Sequence, residues 1–320
     1  MTERFRNEVP IGHEGLGDVV RWMATRKPGP WRKRSDAAPA PAPPFRVGRG
    51  EMRVTFVNHA TVLVQMDGVN VLTDPIWSER CSPVSFAGPR RVVPPGLRLE
   101  ELPPIDAVLL SHNHYDHMDL PTLRRLADER RPRFLVPLGN ERTLSRGGVD
   151  GAEELDWWQS VRVRDGVHVH AVPAQHFSGR GLFDRDRALW AGFVVSGPAG
   201  AAYFAGDTGF GPHFAKIRDR FGAPRIALLP IGAYRPEWFM SRVHESPDEA
   251  LEAHRILGAG TSVGIHFGTF RLADDGQHEP AERIEELLRE AGSAAPRFWV
   301  LGFGEGRDVP AVASAERIAR

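Results

Sequence analysis

The sequence predicts a layered α/β fold, and three observations support this prediction. Short apolar runs of strand length alternate with longer segments of helical period from Met52 onward. The chain has 320 residues, 41% of them hydrophobic and 26% charged, so it can bury a large core without covalent staples. A dense group of histidine and aspartate residues follows one apolar run, at a strand end where rigid scaffolds carry sites.

Residues 1–48 are predicted to be an N-terminal extension, and residues 49–320 to form the main domain. The extension mixes Trp22 and Trp31 with arginine and lysine, a composition that could touch a membrane surface. A strap lying across the domain is the favoured alternative. The alanine and proline run at 37–44 predicts an extended, semi-rigid linker.

The first elements of the main domain are three short strands at 54–57, 62–66 and 69–73. Asp67-Gly68 separates the last two strands and predicts a hairpin. The continuous apolar run at 105–110 predicts a buried strand. A helix follows at 120–129, with Asp119 and Pro121 marking its start.

The second half of the chain continues the alternation. Strands are predicted at 134–136, 168–172, 193–196, 202–205, 226–230 and 263–266, and helices at 212–221, 247–257 and 280–291. Ser246, Pro247 and Glu249 have the spacing of a capping box with proline at the first helical position.

Charge and cysteine content exclude several classes of protein. The net charge is +0, with 41 basic and 41 acidic residues, so a broad nucleic-acid-binding surface is not expected. Cys81 is the only cysteine, which rules out a disulfide within the chain. The N-terminus lacks an apolar leader and no run reaches the length of a membrane span, so a cytoplasmic protein is expected.

The segment from His112 to His117 carries the strongest chemical signal. His112, His114, Asp116 and His117 lie within six residues, between a buried strand and a helix. One ion rarely takes four ligands from so short a segment, so the spacing suits two adjacent metals. Imidazole and carboxylate without thiolate suit zinc and tolerate iron or manganese.

Three further candidates follow predicted strands in the second half of the chain. They are His176, Asp207 and His266. Any one of them alone could be a turn former or a polar group that is hydrogen-bonded within the fold. They are considered ligands because all three lie at strand ends, where rigid scaffolds carry sites.

The motif His-x-His-x-Asp-His, followed by a distant histidine, Gly-Asp-Thr and a last histidine, resembles the ligand order of the metallo-β-lactamase superfamily. Within it, the chain is similar to N-acyl-phosphatidylethanolamine-hydrolysing phospholipase D. The similar stretches are 58–61, 72–76, 102–119, 154–158, 173–193, 204–210, 230–240 and 266–270. The resemblance implies a metallo-β-lactamase fold, a four-layer αββα sandwich of two mixed sheets flanked by helices.

The resemblance also implies roles for individual residues. His112, His114 and His176 would hold one zinc ion, while Asp116, His117 and His266 would hold a second, with Asp207 bridging the two. Asp116 and Asp207 could also steer protons. His244 matches a histidine near the metals and is expected to contact the substrate phosphate or the leaving oxygen.

Two other residues resemble supporting positions. Asp74 resembles a carboxylate that orients a ligand histidine, and a turn-forming role before Pro75 is the alternative. His59 could support the site in the same way, although a structural role is favoured. Cys81 matches no ligand position and is expected to be a small buried residue.

The resemblance implies a phosphodiesterase of phospholipase D type, in which two zinc ions share a hydroxide that attacks phosphorus. Its substrate would be N-acyl-phosphatidylethanolamine or a similar glycerophospholipid. The family also suggests that the chain could form a homodimer.

Other functions stay open. A lactonase, or a hydrolase of a small phosphorylated metabolite, could use the same fold. An iron-dependent oxidoreductase is the alternative of another class, although the di-iron branch uses a glutamate where this chain has His114. A tRNA-processing nuclease is disfavoured by the neutral net charge. A purely structural metal site is also disfavoured, because two-metal sites of this kind leave room for a bound water.

Overall fold

Two β-sheets pack face to face, and helices cover the outer face of each sheet. The computed structural model describes residues 4–12, 15–35, 40–181 and 183–311. Within these residues the arrangement is an αββα sandwich, which confirms the predicted fold class.

Fourteen strands build the two sheets of the described chain. In chain order they are β1 Met52–Asn58, β2 Thr61–Met66, β3 Val69–Thr73, β4 Ala107–Leu109, β5 Arg133–Pro137, β6 Glu153–Leu155, β7 Ser160–Arg164, β8 Val167–Val172, β9 Gly192–Gly197, β10 Gly200–Phe204, β11 Ile226–Pro230, β12 Ser262–Ile265, β13 Phe298–Trp299 and β14 Gly306–Asp308. The first sheet has the order β14-β1-β2-β3-β4-β5-β6, and the second has the order β13-β12-β11-β10-β9-β8-β7.

Both sheets are mixed. The first is antiparallel from β14 to β3 and parallel from β3 to β6. The second is antiparallel from β7 to β10 and parallel from β10 to β13. As a result β8, β10 and β12 run in the same direction, and their carboxyl ends meet at one edge.

The helices lie in two outer layers and in the N-terminal segment. They are α1 Leu16–Thr25, α2 Leu120–Arg130, α3 Glu141–Arg146, α4 His213–Phe221, α5 Glu237–Met240, α6 Pro247–Leu257 and α7 Glu279–Ala291. Helix α2 buries Leu123 and Leu126 against the first sheet, whereas α4 and α6 bury Phe214 and Leu251 against the second.

The burial of the first sheet on both faces explains its apolar runs. In β2, Val62 and Val64 point into the core between the sheets, and Leu63 between them points into the core under α2. A strand has a side-chain period of two, so a strand covered on both faces must be apolar throughout. The hairpin prediction is also confirmed, because β2 pairs antiparallel with β3 and Asp67 and Gly68 both have positive φ.

The predicted elements are present, with bounds shifted by a few residues. The run at 105–110 is a strand only over Ala107–Leu109, and the capping box of α6 is formed, with Ser246 N donating to Glu249 Oε2 at 2.8 Å. Asp119 does precede α2, but its carboxylate accepts hydrogen bonds from the backbone of Trp77 and Ser78 instead of capping the helix. Short elements such as β7, β14 and α3 were not predicted.

The N-terminal extension lies across the main domain. Trp22 of α1 stacks on Phe239 with ring centroids 5.0 Å apart, and its indole donates to Asp274. Arg26 forms an ion pair with Asp274 at 2.7 Å. The predicted linker falls partly on residues 36–39, outside the described residues, and the boundary at residue 48 stays a prediction. Among the described helices none is long and apolar enough to cross a bilayer.

Candidate metal centre

The predicted ligands converge at the edge where strands of the two sheets end. The segment with His112, His114, Asp116 and His117 follows β4 of the first sheet. The other three ligands come from the second sheet, where His176 follows β8, Asp207 follows β10 and His266 follows β12. The structure therefore brings together all seven side chains that the sequence singles out.

The first group is built from three imidazole rings. His114 Nδ1 lies 2.8 Å from His112 Nε2 and 3.3 Å from His176 Nε2. Burial, together with the neighbouring histidines, holds the pKa of His112 well below its ordinary value, and burial lowers the pKa of His114 to about 4. Burial likewise holds the pKa of His176 well below its ordinary value. These rings are therefore neutral at pH 7 and offer free lone pairs.

The second group is more acidic. Asp116 Oδ2 lies 3.2 Å from His117 Nε2 and 3.3 Å from His266 Nε2. Burial alone would lower the pKa of His266, but the charge of Asp207 and a hydrogen bond with Asp116 raise it to about 9. Burial acts the same way on His117, and three carboxylates outweigh it to raise its pKa well above the ordinary value.

Asp207 stands between the two groups. Its Oδ2 lies 3.1 Å from His117 Nε2 and 3.2 Å from His266 Nε2, and also 3.8 Å from His176 Nε2. Its Oδ1 is buried without a hydrogen-bond partner among the described residues. A carboxylate within reach of both groups has the geometry of a bridging ligand.

The backbone before Asp207 allows the two sheets to approach closely. Gly206 has φ +64°, and a Cβ there would lie 2.5 Å from the Cβ of Ser111. Only glycine fits this contact, because any side chain would push the Asp207 loop away from the His112 segment. Three non-glycine residues of the centre, His59, Asp74 and His266, also have positive φ. Such strained backbone commonly clusters at functional sites.

Asp74 orients His117, as its resemblance to a supporting carboxylate predicts. Its Oδ2 lies 2.6 Å from His117 Nδ1, and it also accepts hydrogen bonds from the backbone and hydroxyl of Ser111. The contact leaves His117 Nε2 facing Asp207. A turn role alone does not explain these bonds.

His59 contacts the centre as well, although the sequence favoured a structural role for it. Its Nε2 lies 3.0 Å from Asp116 Oδ2, and its ring centroid is 4.2 Å from that of His266. Burial lowers the pKa of His59 to about 3, so its ring is neutral and donates one hydrogen bond to the carboxylate. It thereby fixes the orientation of Asp116.

His176 is held by a residue that the sequence did not identify. Asn7 Nδ2 donates to the carbonyl of His176 at 2.8 Å, and Asn7 Oδ1 accepts from the His176 amide at 3.0 Å. The same oxygen accepts from the indole of Trp190 at 3.0 Å. His176 Nδ1 donates to the carbonyl of Val243, which leaves Nε2 for the centre. The N-terminal segment is thus part of the ligand's support.

His244 also lies in the centre. Its Nδ1 is 3.9 Å from Asp207 Oδ2, and its ring centroid is 5.2 Å from that of His176. Burial lowers the pKa of His244 to about 4, so the ring is neutral at pH 7. Cys81 is buried beside Ile76 and Phe270, as expected for a residue that ligates nothing.

The donor set fits two metal ions. Nitrogen and carboxylate ligand atoms lie within 4.8 Å of one another in both groups. His117 Nε2 and Asp207 Oδ1 are buried polar atoms with no hydrogen-bond partner among the described residues, a costly state that a cation would relieve. Five imidazoles and two carboxylates without sulfur match the ligands of zinc and also of iron or manganese.

Comparison with known proteins shows the family of this chain. Residues 69–267 match the beta-lactamase superfamily domain. An uncharacterized protein of Mycobacterium tuberculosis is 45% identical over 256 residues, covering 78% of this chain and 68% of the relative. N-acyl-phosphatidylethanolamine-hydrolyzing phospholipase D 1 of Caenorhabditis elegans is 41% identical over 245 residues, covering 73% of this chain and 69% of the relative.

A solved structure shares the fold. Isothiocyanate hydrolase from Delia radicum gut bacteria aligns with a TM-score of 0.61 at 22% identity, covering 80% of this chain and 98% of that chain. At this identity the likeness concerns the arrangement of sheets and helices, not the substrate.

Proposed function

This chain belongs to the metallo-β-lactamase superfamily of metal-dependent hydrolases, and from that premise we propose that it hydrolyses phosphodiesters with two bound zinc ions. The observation that carries the proposal is the position of Asp207, whose Oδ2 lies within 4.0 Å of nitrogens from both histidine groups. A single shared carboxylate is what a two-metal site needs.

The residues divide into two ligand sets. His112, His114 and His176 would hold one ion, and Asp116, His117 and His266 the other, with Asp207 shared between them. Bound zinc would supply an ionised water near neutral pH and offset the negative charge that develops at phosphorus. Asp74 and His59 keep the ligands His117 and Asp116 in place.

His244 is the proposed contact to the substrate. Its neutral ring can donate one hydrogen bond to a phosphate oxygen or to the leaving oxygen. It lies beside Asp207, and its ligand atom is within 4.8 Å of those of His176 and Asp207. The proposal assigns it to the substrate, because the two ligand sets above are complete without it. Asp116 and Asp207 are proposed to assist proton movement while acting as ligands.

The proposed substrate is N-acyl-phosphatidylethanolamine or a similar glycerophospholipid, by likeness to the nematode relative. Water would add to phosphorus, and the bond from phosphorus to the ethanolamine oxygen would break. N-acylethanolamine would leave with a proton, and phosphatidic acid would keep the phosphate. We also propose a cytoplasmic location, peripheral contact of the N-terminal segment with membranes, and assembly as a homodimer.

A small phosphorylated metabolite or a lactone is the second candidate substrate, and a cavity beside His244 favours the lactone. This cavity of about 450 Å³ is lined by polar groups of both charges, and its charged side chains are Arg235, Arg283, Glu237, Asp248 and Glu249. Because three carboxylates lie in the lining, the cavity suits an uncharged group such as a lactone better than a phosphate. A polar cavity of this kind also suits a hydroxylated group better than an acyl chain.

A hydrolysis panel tests the proposal. Zinc-loaded protein would be given N-acyl-phosphatidylethanolamine, phosphatidylethanolamine, a bis-aryl phosphodiester and a lactone, with products identified by mass. We expect N-acylethanolamine and phosphatidic acid. Turnover of the lactone alone would support the second candidate, and bound iron with substrate-dependent oxygen uptake would overturn the hydrolase proposal.

The role of His244 is tested by His244→Ala. We expect the rate to fall by about 10²–10⁴-fold, because positioned proton-transfer groups contribute this much. Metal content should stay at the wild-type level. A rate within about twofold of wild type would show that His244 does not touch the reacting atoms.

A further inference from the structure

A separate cavity of about 390 Å³ is lined in part by Asn113, which lies between the candidate ligands His112 and His114 in the sequence. Its polar lining consists of Asn113, Arg142, Thr143, Arg146, Asp184 and Arg187. None of these residues is a candidate metal ligand, and the proposed function does not use them.

Three guanidinium groups face this cavity without acidic partners. Arg142, Arg146 and Arg187 form no ion pair with any carboxylate of the described chain. Asp184 is the one carboxylate in the lining, and it accepts hydrogen bonds from the backbone amides of Arg180 and Gly181. Three exposed arginines against one carboxylate leave the cavity with an excess of positive charge, in a protein whose net charge is +0.

The fold forces the arginines together. Arg142 and Arg146 are four residues apart on α3, so their side chains lie on the same helix face. The left-handed Gly139 lets the chain before α3 approach the backbone at Arg187, where an added Cβ would lie 2.9 Å from the Arg187 carbonyl. Like charges at this helical spacing repel each other, and a bound anion would relieve the repulsion.

An amide donor on a buried side chain adds a second, independent observation. Asn113 is 4% exposed, and its Oδ1 accepts from the Gly179 amide at 2.8 Å. Its Nδ2 donates to no described residue, and the side chain lines the cavity. The Nδ2 atom is not itself fully buried, so it is open to a ligand in the cavity. The hydroxyl of Thr143 adds another donor to the lining.

We propose that this cavity binds a tetrahedral oxyanion of phosphate type. Three guanidinium groups and the Asn113 amide supply donors, and arginine matches the geometry of phosphate oxygens. Asn113 lies between His112 and His114, and its bond to Gly179 reaches the segment that follows His176. An anion held by Asn113 would therefore stiffen two segments that carry ligands of the first histidine group.

Binding of inorganic phosphate, measured by calorimetry on the zinc-loaded protein at constant ionic strength, tests this site. We expect Arg146→Ala combined with Arg187→Ala to weaken binding at least about tenfold, as the loss of charged hydrogen bonds implies. Arg289→Ala is the matched control, because Arg289 is an exposed arginine on α7 far from this lining in sequence. We expect it to bind like wild type.

Two further arms separate this site from the metal centre and from membranes. The Asp207→Ala variant should still bind phosphate at the arginine cavity; loss of all binding there would place the anion on the metals and overturn the proposal. Phosphatidylcholine vesicles with and without phosphatidic acid complete the test. Binding only to phosphatidic acid, lost in the double variant, would support a lipid headgroup as the anion. Equal binding by the double variant and wild type would overturn the site.

Discussion

The two histidine groups of the centre sit side by side but differ in charge. The group of His112, His114 and His176 contains no carboxylate of its own, and burial holds the pKa of each ring below its ordinary value. The other group contains Asp116, and carboxylates raise the pKa values of His117 and His266.

The supports of the two groups differ in the same way. The Asp74 carboxylate holds His117, and the neutral ring of His59 holds the Asp116 carboxylate, so each of these contacts in the second group includes a carboxylate. His176 of the first group is held by the Val243 carbonyl and by Asn7, which are neutral. Because of this difference, we expect the two groups to bind their metal ions with unequal affinity and to respond to different substitutions.

Asp207→Ala should have the largest effect, because this carboxylate serves both groups. We expect metal content to fall at both positions and activity to fall more than about 100-fold, since even supporting residues contribute about 10–100-fold. Metal analysis by mass spectrometry after dialysis checks this. Retention of both ions would contradict the bridging role.

Asp74→Asn should affect the second group more than the first. Loss of the carboxylate behind His117 should weaken the metal of the second group by about 10–100-fold. The first group should be weakened less, because Asp74 reaches His112 only through the Ser111 hydroxyl. Titration with a chelator should then show two sites weakened to different degrees. Ser78, which contacts Asp119 and not the centre, provides a control as Ser78→Ala. Equal weakening of both sites by Asp74→Asn would contradict the separation.

The pH dependence of metal binding should also divide the two groups. The pKa of His266 in the metal-free protein is raised to about 9 from 6.5, so its proton must leave before a metal binds. Affinity at the second group should therefore fall about tenfold between pH 8 and pH 7 for each proton displaced. His114, with its pKa lowered to about 4, is already neutral, so affinity at the first group should stay flat over this range.

The stability of the metal-free protein should depend on the same proton of His266. It should fall as the pH rises, whereas the affinity for metal should increase. Because the folded-state pKa of His266 is raised, protonated His266 stabilises the metal-free fold fully below pH 6.5. That contribution is lost as the pH rises through about 9. Chemical unfolding of the metal-free protein between pH 6 and pH 10 measures it. A His266→Gln variant should show a weaker dependence, because it loses the contribution of His266 and keeps that of His117, whose pKa is also raised.

Asn7→Ala should have the smallest effect, confined to the first group. It removes the two hydrogen bonds to the His176 backbone, and bonds of this type contribute about 0.5–1.5 kcal/mol each. We expect the metal of the first group to dissociate about threefold to tenfold faster, as one factor of ten corresponds to about 1.4 kcal/mol. The fluorescence emission of Trp190 should change as well, because its indole loses the hydrogen bond to Asn7.

Glu8→Ala is the matched control for Asn7. Glu8 is the next residue, and it pairs with Lys216 at 3.0 Å away from the ligands. We expect the Glu8→Ala variant to release metal at the wild-type rate. If Glu8→Ala and Asn7→Ala release metal at the same rate, the N-terminal segment stabilises the fold without positioning His176.

The convergence of the candidate ligands could be predicted from the sequence, because their signals are local or are tied to strand ends. His112 to His117 form one short motif, and His176, Asp207 and His266 each follow a strand that alternating or continuous apolar residues indicate. The fold class and the bounds of the longer elements followed from the same periodicity. The division into zinc ligands remains a prediction.

The supports of the ligands were harder to predict, because they depend on contacts between distant parts of the chain. Asn7 and His176 are 169 residues apart, and one asparagine in a polar segment has no local pattern. His59 was underestimated because a lone histidine after a strand is usually structural. The arginines around Asn113 come from helix α3 and from the loop before β9, which meet only after the sheets have packed.

The close approach at Gly206 has a consequence for how the protein acquires its metals. Ligands from the two halves of the sandwich face each other across this contact and beside the bond from the His266 amide to the His59 carbonyl, so neither ion finds a full set of donors on one half. Contacts between residues so distant in sequence form late in folding. Metal loading should therefore be a post-assembly event, and zinc supplied during refolding should change the yield of holoprotein without accelerating the docking of the halves.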